Sequence, residues 1–128
     1  MTEHKLAPIL LTVADVGFGG NTGGSKYFYS FSPDLAIAYK GQSPLKMLYT
    51  FAPEVRDNFI IRAVLTTDSK EQIQQPIEVA KDGRSALVIN NNLVEILILL
   101  SFVVEDTDKG IMFSCDPQVG NVPKISPR

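Results

Sequence analysis

The stretch CDPQVGNVPK, residues 115–124, holds the residue types of this sequence that are best suited to chemistry. Cys115 is the only cysteine, and a cysteine thiolate can act as a nucleophile. A cysteine-phosphatase loop would need an arginine where Asn121 stands, and the neighbouring Asp116 would raise the pKa of the thiol. The pattern therefore favours a structural, buried Cys115 over a catalytic one.

The polar residues of this stretch have two interpretations. The Asp-Pro and Gly-Asn pairs are typical of turns, and the prolines that follow would end strand pairing at a sheet edge. Alternatively, the polar side chains are presented in a fixed loop to a ligand or a partner subunit. The predicted binding residues under this second interpretation are Cys115, Asp116, Gln118 and Asn121.

Other catalytic and cofactor motifs are incomplete. Histidine, the commonest general base and metal ligand, occurs once, as His4. The glycine-rich residues 17–24 fail the phosphate-loop pattern, because Ser25 precedes Lys26 and a strand rather than a helix should follow. The acidic residues 105–110 lack the final ligand of a calcium loop. We therefore predict no cofactor and no metal, and an enzyme would have to rely on carboxylates or Cys115.

Composition predicts one globular domain spanning residues 1–128, with flexible tails at 1–5 and 124–128. Of the 128 residues, 45% are hydrophobic and 20% charged, which is typical of a folded domain. The net charge is −2 and the basic residues are scattered, so nucleic acid is not an expected partner.

Neither a membrane nor an export route is expected. The most apolar run, residues 93–104, is interrupted by Glu95 and is shorter than the roughly 20 residues that a membrane helix needs. The opening residues MTEHKLAPILLTV do not have the pattern of a secretory signal, so we predict a cytoplasmic location.

Runs of β-branched and aromatic residues alternate with clusters of Gly, Asn, Asp, Ser and Pro, a pattern typical of strands joined by turns. Asp82-Gly83 predicts a tight turn, and the three asparagines at 90–92 predict another in which positive φ is tolerated. The predicted strands are residues 9–14, 26–31, 34–39, 45–52, 59–66, 75–80, 85–90, 93–105 and 111–114.

This spacing predicts an all-β fold, namely an antiparallel, immunoglobulin-like β-sandwich with Greek-key connections and about seven or eight strands. A small β-barrel is the alternative. Residues 93–105 carry apolar side chains on both faces, which predicts a central strand, or a face buried against another sheet or a second subunit.

Two segments, FSCDPQVGNVP at 113–123 and DGRSALVINNN at 82–92, resemble the DP-EP family of small bacterial proteins. That resemblance implies a single-domain immunoglobulin-like β-sandwich. It implies no reaction and no catalytic residues.

Three functions remain open. The favoured hypothesis is a non-enzymatic binding or structural module that associates with itself, because one strand is apolar on both faces and catalytic motifs are incomplete. The second is an enzyme that uses carboxylates or Cys115. The third is a carbohydrate- or small-molecule-binding sandwich that uses Asn21, Asp116, Gln118 and Asn121, with Tyr27 or Tyr39 as stacking platforms.

Overall fold

A computed structural model describes residues 4–5, 8–68 and 70–126. The predicted strands at 59–66 and 85–90 have the predicted bounds, and the long apolar run is a strand rather than a helix. The strands are β1 His4–Lys5, β2 Ile9–Asp15, β3 Tyr27–Ser32, β4 Leu35–Tyr39, β5 Leu45–Phe51, β6 Phe59–Thr66, β7 Glu78–Val79, β8 Ser85–Asn90, β9 Ile96–Asp106, β10 Ile111–Cys115 and β11 Gln118–Val122.

These strands form two sheets that face each other. In the six-stranded sheet the order is β3-β2-β5-β8-β7, and β1 pairs with β5. In the five-stranded sheet the order is β10-β9-β11-β4, and β6 pairs with the other edge of β9. The predicted β-sandwich is thus confirmed, and the two sheets do not close into the alternative small barrel.

The predicted antiparallel arrangement is confirmed for hairpins such as β2–β3 and β9–β10. Each sheet also contains parallel pairs, which are β1–β5 and β2–β5 in one sheet and β4–β11 in the other. Parallel neighbours need a crossover connection. Here the segment that connects each parallel pair includes at least one strand of the opposite sheet. The sheets are therefore mixed.

The prediction of a turn at Gly120-Asn121 is wrong, because both residues lie within the strand Gln118–Val122. This segment is β11, which pairs antiparallel with β9 and parallel with β4 in the middle of the sheet. Pro117 and Pro123 stand just outside its two ends, where a missing N–H removes little pairing. Gly120 does not interrupt the strand, because it is aligned with partners on both β9 and β4. A side chain at this position would contact Leu35 Cδ1 at 3.6 Å.

Aromatic rings fill the space between the sheets. Phe102, at the middle of β9, is fully buried, and its ring centroid lies 4.8 Å from that of Tyr49 and 5.5 Å from that of Phe31. Towards one end of the sandwich, Tyr27 stacks on Phe113 with centroids 4.2 Å apart. These contacts join strands of both sheets, so the core is continuous across the sandwich.

The hydroxyl group of Tyr49 is buried and has no hydrogen-bond partner among the described residues. Leaving a buried hydroxyl unpaired costs about 1–3 kcal/mol. We therefore expect Tyr49→Phe to raise the free energy of unfolding by about 1 kcal/mol in urea titrations. The matched change Tyr27→Phe should lower it, because the Tyr27 hydroxyl donates to Asp106. Equal losses in both variants would contradict the assignment.

Arg84 fixes the loop between β5 and β6. Its guanidinium donates to the carbonyl groups of Val55, Arg56 and Phe59 at 2.5–3.0 Å and lies 4.4 Å from the ring centroid of Phe51. A planar guanidinium can serve several acceptors at once, so one side chain holds the whole loop. The loop is thereby positioned at the end of the sandwich where β9 turns into β10.

Parts of the predicted flexible tails are paired. The backbone of His4–Lys5 pairs with Leu45 and Lys46, and Lys40 N–H donates to the carbonyl of Ile125. Residues 1–3 and 127–128 of those tails lie outside the described residues. Within the described part of the chain, no helix has the length and apolar character needed to cross a membrane.

Candidate functional site

The residues predicted from CDPQVGNVPK do not form one surface. Because β10 and β11 are strands, alternate side chains point to opposite sides of the sheet. Cys115 and Asn121 point into the core and are fully or almost fully buried, whereas Asp116 is exposed and Gln118 half-buried on the outer side. The prediction of a joint polar site is therefore corrected, because two of its four members are inaccessible.

Cys115 is part of the core. Its side chain has no exposed surface, and burial, with a smaller contribution from the charge of Asp116, raises the pKa of its thiol. A buried thiol with a raised pKa carries almost no thiolate at neutral pH, which is the form that reacts. The structural interpretation of Cys115 is the one that this geometry favours.

Asn121 is paired inside the sandwich rather than offered to a ligand. Asn90 Nδ2 donates to Asn121 Oδ1 at 2.7 Å, and Asn121 Nδ2 donates back to Asn90 Oδ1 at 3.0 Å. Asn90 belongs to β8 and Asn121 to β11, so this reciprocal amide pair links the two sheets. A buried amide needs such a partner, since an unpaired one would cost free energy.

The asparagines at 90–92 form the predicted turn. Asn92 has a φ of 51°, and its buried side chain donates to the carbonyl groups of Tyr39 and Gln42. Its backbone N–H donates to Asn90 Oδ1. The turn is therefore a structural element that joins β8 to the loop after β4.

The residues proposed for sugar binding are likewise engaged. Asn21 Nδ2 donates to the carbonyl of Tyr29 at 2.9 Å, and its Oδ1 accepts from Tyr29 N–H at 2.8 Å, so its side chain pairs with the outer edge of β3. Tyr27 is buried against Phe113 and cannot stack on a ligand. Tyr39 is half-buried. The prediction of a carbohydrate site from these residues is not supported by their positions.

Carboxylates do converge at the end of the sandwich where β9 turns into β10. A cleft of about 530 Å³ lies there, which we call the charged cleft. Asp15 and Lys109 form an ion pair at its wall. The charged cleft is lined by Val13, Ala14, Asp15, Glu54, Arg56, Asn58, Phe59, Asp106, Asp108 and Lys109.

Asp106 is the buried carboxylate of this cleft and is saturated with hydrogen bonds. Its Oδ2 accepts from the Tyr27 hydroxyl at 2.7 Å. Its Oδ1 accepts from Asn58 Nδ2 at 2.8 Å and from the backbone N–H of Asp108 at 3.1 Å. Burial alone would raise the pKa of Asp106, but these three donors and the charge of Lys109 outweigh it and hold the pKa below its usual range.

This arrangement makes Asp106 a poor acid catalyst. A general acid must be protonated near the working pH, whereas the pKa of Asp106 is lowered and its oxygens are already occupied. The pKa of Asp15 is also lowered, chiefly by the hydrogen bond from Lys109. Among the described residues, no group of three or more His, Cys, Asp or Glu side chains is arranged to hold a metal ion.

A group of exposed leucines lies on the outer side of the five-stranded sheet. Four leucines from three of its strands are exposed there to 42–59% of their surface. We call this side the leucine face, and it consists of Leu35 on β4, Leu65 on β6, and Leu97 and Leu99 on β9. Across the sheet, Leu99 is aligned with Gln118 and Leu35, while Leu97 is aligned with Gly120 and Ile37.

A depression of about 360 Å³ lies at one side of this face, and we call it the leucine groove. Asp116 is the predicted site residue that reaches it, and Gln118 lies on the same outer side between Leu99 and Leu35. The leucine groove is lined by Leu65, Thr66, Thr67, Leu99, Leu100, Ser101 and Asp116.

The sequence predicted the apolar second face of β9 but not the leucines of other strands that lie beside it. Leu65 and Leu35 lie far from β9 in the sequence, and only the pairing of β6 and β4 into the same sheet brings them to this face. The alternation of Leu97 and Leu99 with buried Ile98 and Leu100 was the signal available. Neither a scan against protein-family models nor a search of the curated proteins gives a match for this chain.

Proposed function

We propose that this chain is a non-enzymatic module that associates with copies of itself through the leucine face. The observation that supports the proposal is the row of exposed leucines on a regular sheet face. A contiguous apolar patch on a folded domain typically marks a contact surface. Covering it removes apolar area from water, which stabilises the complex by about 25 cal/mol per Å² before the costs of association.

The geometry of the face fits a protein partner better than a small ligand. The leucines are spread over three strands rather than gathered in a deep pocket, whereas small-molecule sites are concave and enclose most of the ligand. Gly120 has no side chain in the middle of this face, and Leu97 and Ile37 are its neighbours on the adjoining strands. A second protein surface could therefore pack closely against the sheet at this point.

Introducing a charge into the leucine face tests the proposal. In Leu97→Lys, an exposed leucine of the leucine face becomes a cation whose burial in an interface would be unfavourable. We expect the dissociation constant of self-association, measured by sedimentation velocity over a range of concentrations, to rise at least about tenfold.

The matched control is Leu48→Lys, which changes an exposed leucine on the outer side of the six-stranded sheet. It should associate like the unmodified chain. A chain that remains monomeric at millimolar concentration, or equal weakening by both substitutions, would count against the leucine face as the contact. The family resemblance and the cytoplasmic location stay predictions from the sequence.

A further inference from the structure

Phe18 is the most exposed large apolar residue in the described part of the chain, with 89% of its surface accessible. It lies in the loop of residues 16–26 between β2 and β3, which we call the Gly-rich loop. Single exposed leucines or valines are common on protein surfaces, but an almost fully exposed phenylalanine ring leaves a large apolar area in water. Such a residue is well suited to insert into an apolar groove.

The Gly-rich loop is held by its own hydrogen bonds. The N–H groups of Val16 and Gly17 both donate to the carbonyl of Lys26 at 3.0 Å, and Gly20 N–H donates to the carbonyl of Ser25 at 2.8 Å. At Gly20 a side chain would stand 2.1 Å from the carbonyl oxygen of Tyr27, so the loop folds tightly onto β3. The ring of Phe18 is therefore presented from a braced loop, which lowers the entropy lost on binding.

The leucine groove has the size and lining to receive this ring. Its volume is about 360 Å³, and a cavity of about 150 Å³ lined by apolar side chains is enough to hold benzene. Leu65 and Leu99 supply apolar walls, and Thr66, Thr67 and Ser101 lie beside them. An aromatic ring would bury apolar area on both partners.

The polar groups of the Gly-rich loop and of the leucine groove are also complementary. The backbone N–H groups of Phe18 and Gly19 donate to no acceptor among the described residues. At the groove, the exposed Asp116 carries a carboxylate that accepts no hydrogen bond within the same described ranges. Gly17 and Gly19 flank the ring without side chains, so the loop backbone could approach this carboxylate closely.

The base of the loop and the groove of one molecule lie at different positions along β9. The base of the loop is tied to the end of β9 through the Asp15–Lys109 ion pair, whereas the groove includes Leu99 near the start of β9. The seven residue steps from Leu99 to Asp106 span roughly 23 Å of strand. Phe18 is almost fully exposed in this structure and so does not occupy the groove of its own chain.

We propose that Phe18 of one copy inserts into the leucine groove of the next, so that the copies join head to tail. This inference rests on the proposed self-association and specifies its geometry. Two different patches form the contact, and a contact of this kind leaves one free loop and one free groove on every dimer. Association then continues beyond the dimer unless the rotation between copies closes a ring.

A complementation experiment tests this geometry. Phe18→Ser removes the ring, and Leu65→Lys places a charge in the groove, so each variant by itself lacks one half of the contact. We expect each to raise the dissociation constant at least about tenfold in sedimentation velocity. A 1:1 mixture should form heterodimers and nothing larger, because it contains one intact ring and one intact groove per pair. The unmodified chain should form species beyond the dimer.

The control variant is Phe28→Ser, which removes an exposed phenylalanine from β3 and should associate like the unmodified chain. If the unmodified chain associates and Phe18→Ser associates equally well, the head-to-tail contact is refuted while the leucine face stands. If the 1:1 mixture stays monomeric, the pairing of ring and groove is refuted. If the unmodified chain stays monomeric at millimolar concentration, both proposals fail.

Discussion

Replacing Phe102 with alanine is expected to lower the free energy of unfolding by about 3–5 kcal/mol, because it removes a fully buried ring and leaves a cavity between the sheets. The rings of Tyr49 and Phe31, which contact Phe102, belong to β5 and β3 of the opposite sheet, so the cavity would open at the junction of the two layers. A loss of this size is a large part of the 5–15 kcal/mol that stabilises a typical domain.

Urea or guanidinium titration followed by tyrosine fluorescence measures this loss. Phe102→Leu, which keeps most of the apolar volume, should lose less and remain folded if the alanine variant does not. The matched control is Met112→Ala on the neighbouring β10, because the Met112 side chain is largely exposed. A loss below about 1 kcal/mol in Phe102→Ala would contradict a packed core at this position.

Replacing Asp106 with alanine is expected to cost a further large amount, about 3–5 kcal/mol, because three donors lose their acceptor at once. The Tyr27 hydroxyl, the Asn58 amide and the backbone N–H of Asp108 all converge on this carboxylate. Tyr27→Phe removes one of these bonds and should cost less. If Asp106→Ala and Tyr27→Phe cost the same, the other two donors contribute nothing.

The same carboxylate predicts a pH dependence. The pKa of Asp106 is lower in the folded chain than the usual aspartate value of about 3.9, so its ionised form stabilises the fold above that value. The stabilisation is lost as the pH falls below about 4 and through the folded-state pKa. The difference in unfolding free energy between the unmodified chain and Asp106→Asn should therefore be constant above about pH 5 and shrink in acid. Asp116→Asn, an exposed carboxylate, serves as the control.

Much of the fold followed from local patterns. Runs of β-branched and aromatic residues predicted β6 and β8 with the bounds that the structure has, and the Asp-Gly turn is formed as expected, with Gly83 at a φ of 73°. The position of β11 could not be predicted, because Gly120 and Asn121 are turn residues by local preference. The acceptance of Asn121 in a strand depends on Asn90 as a hydrogen-bond partner, which is a property of the assembled sandwich.

The candidate site was less accessible to sequence reasoning. The apolar residues on both faces of β9 predicted a central strand, or a face buried against another sheet or a second subunit, and β9 has partner strands on both of its edges. The leucine face and groove combine residues from β4, β6 and β9, which no local pattern connects. The exposure of Phe18 could not be predicted from the glycine-rich sequence around it, because it depends on how the loop is held against β3.

The position of β11 has a consequence for how the chain is synthesised. Within the described residues, β4 pairs with no strand other than β11, which is synthesised after the ten strands that precede it. Until residues 118–122 emerge, β4 has no strand partner, and the first half of β9 lacks its partner on one edge. The five-stranded sheet therefore closes only once β11 has been translated, and its completion depends on a contact of long sequence separation, which slows folding.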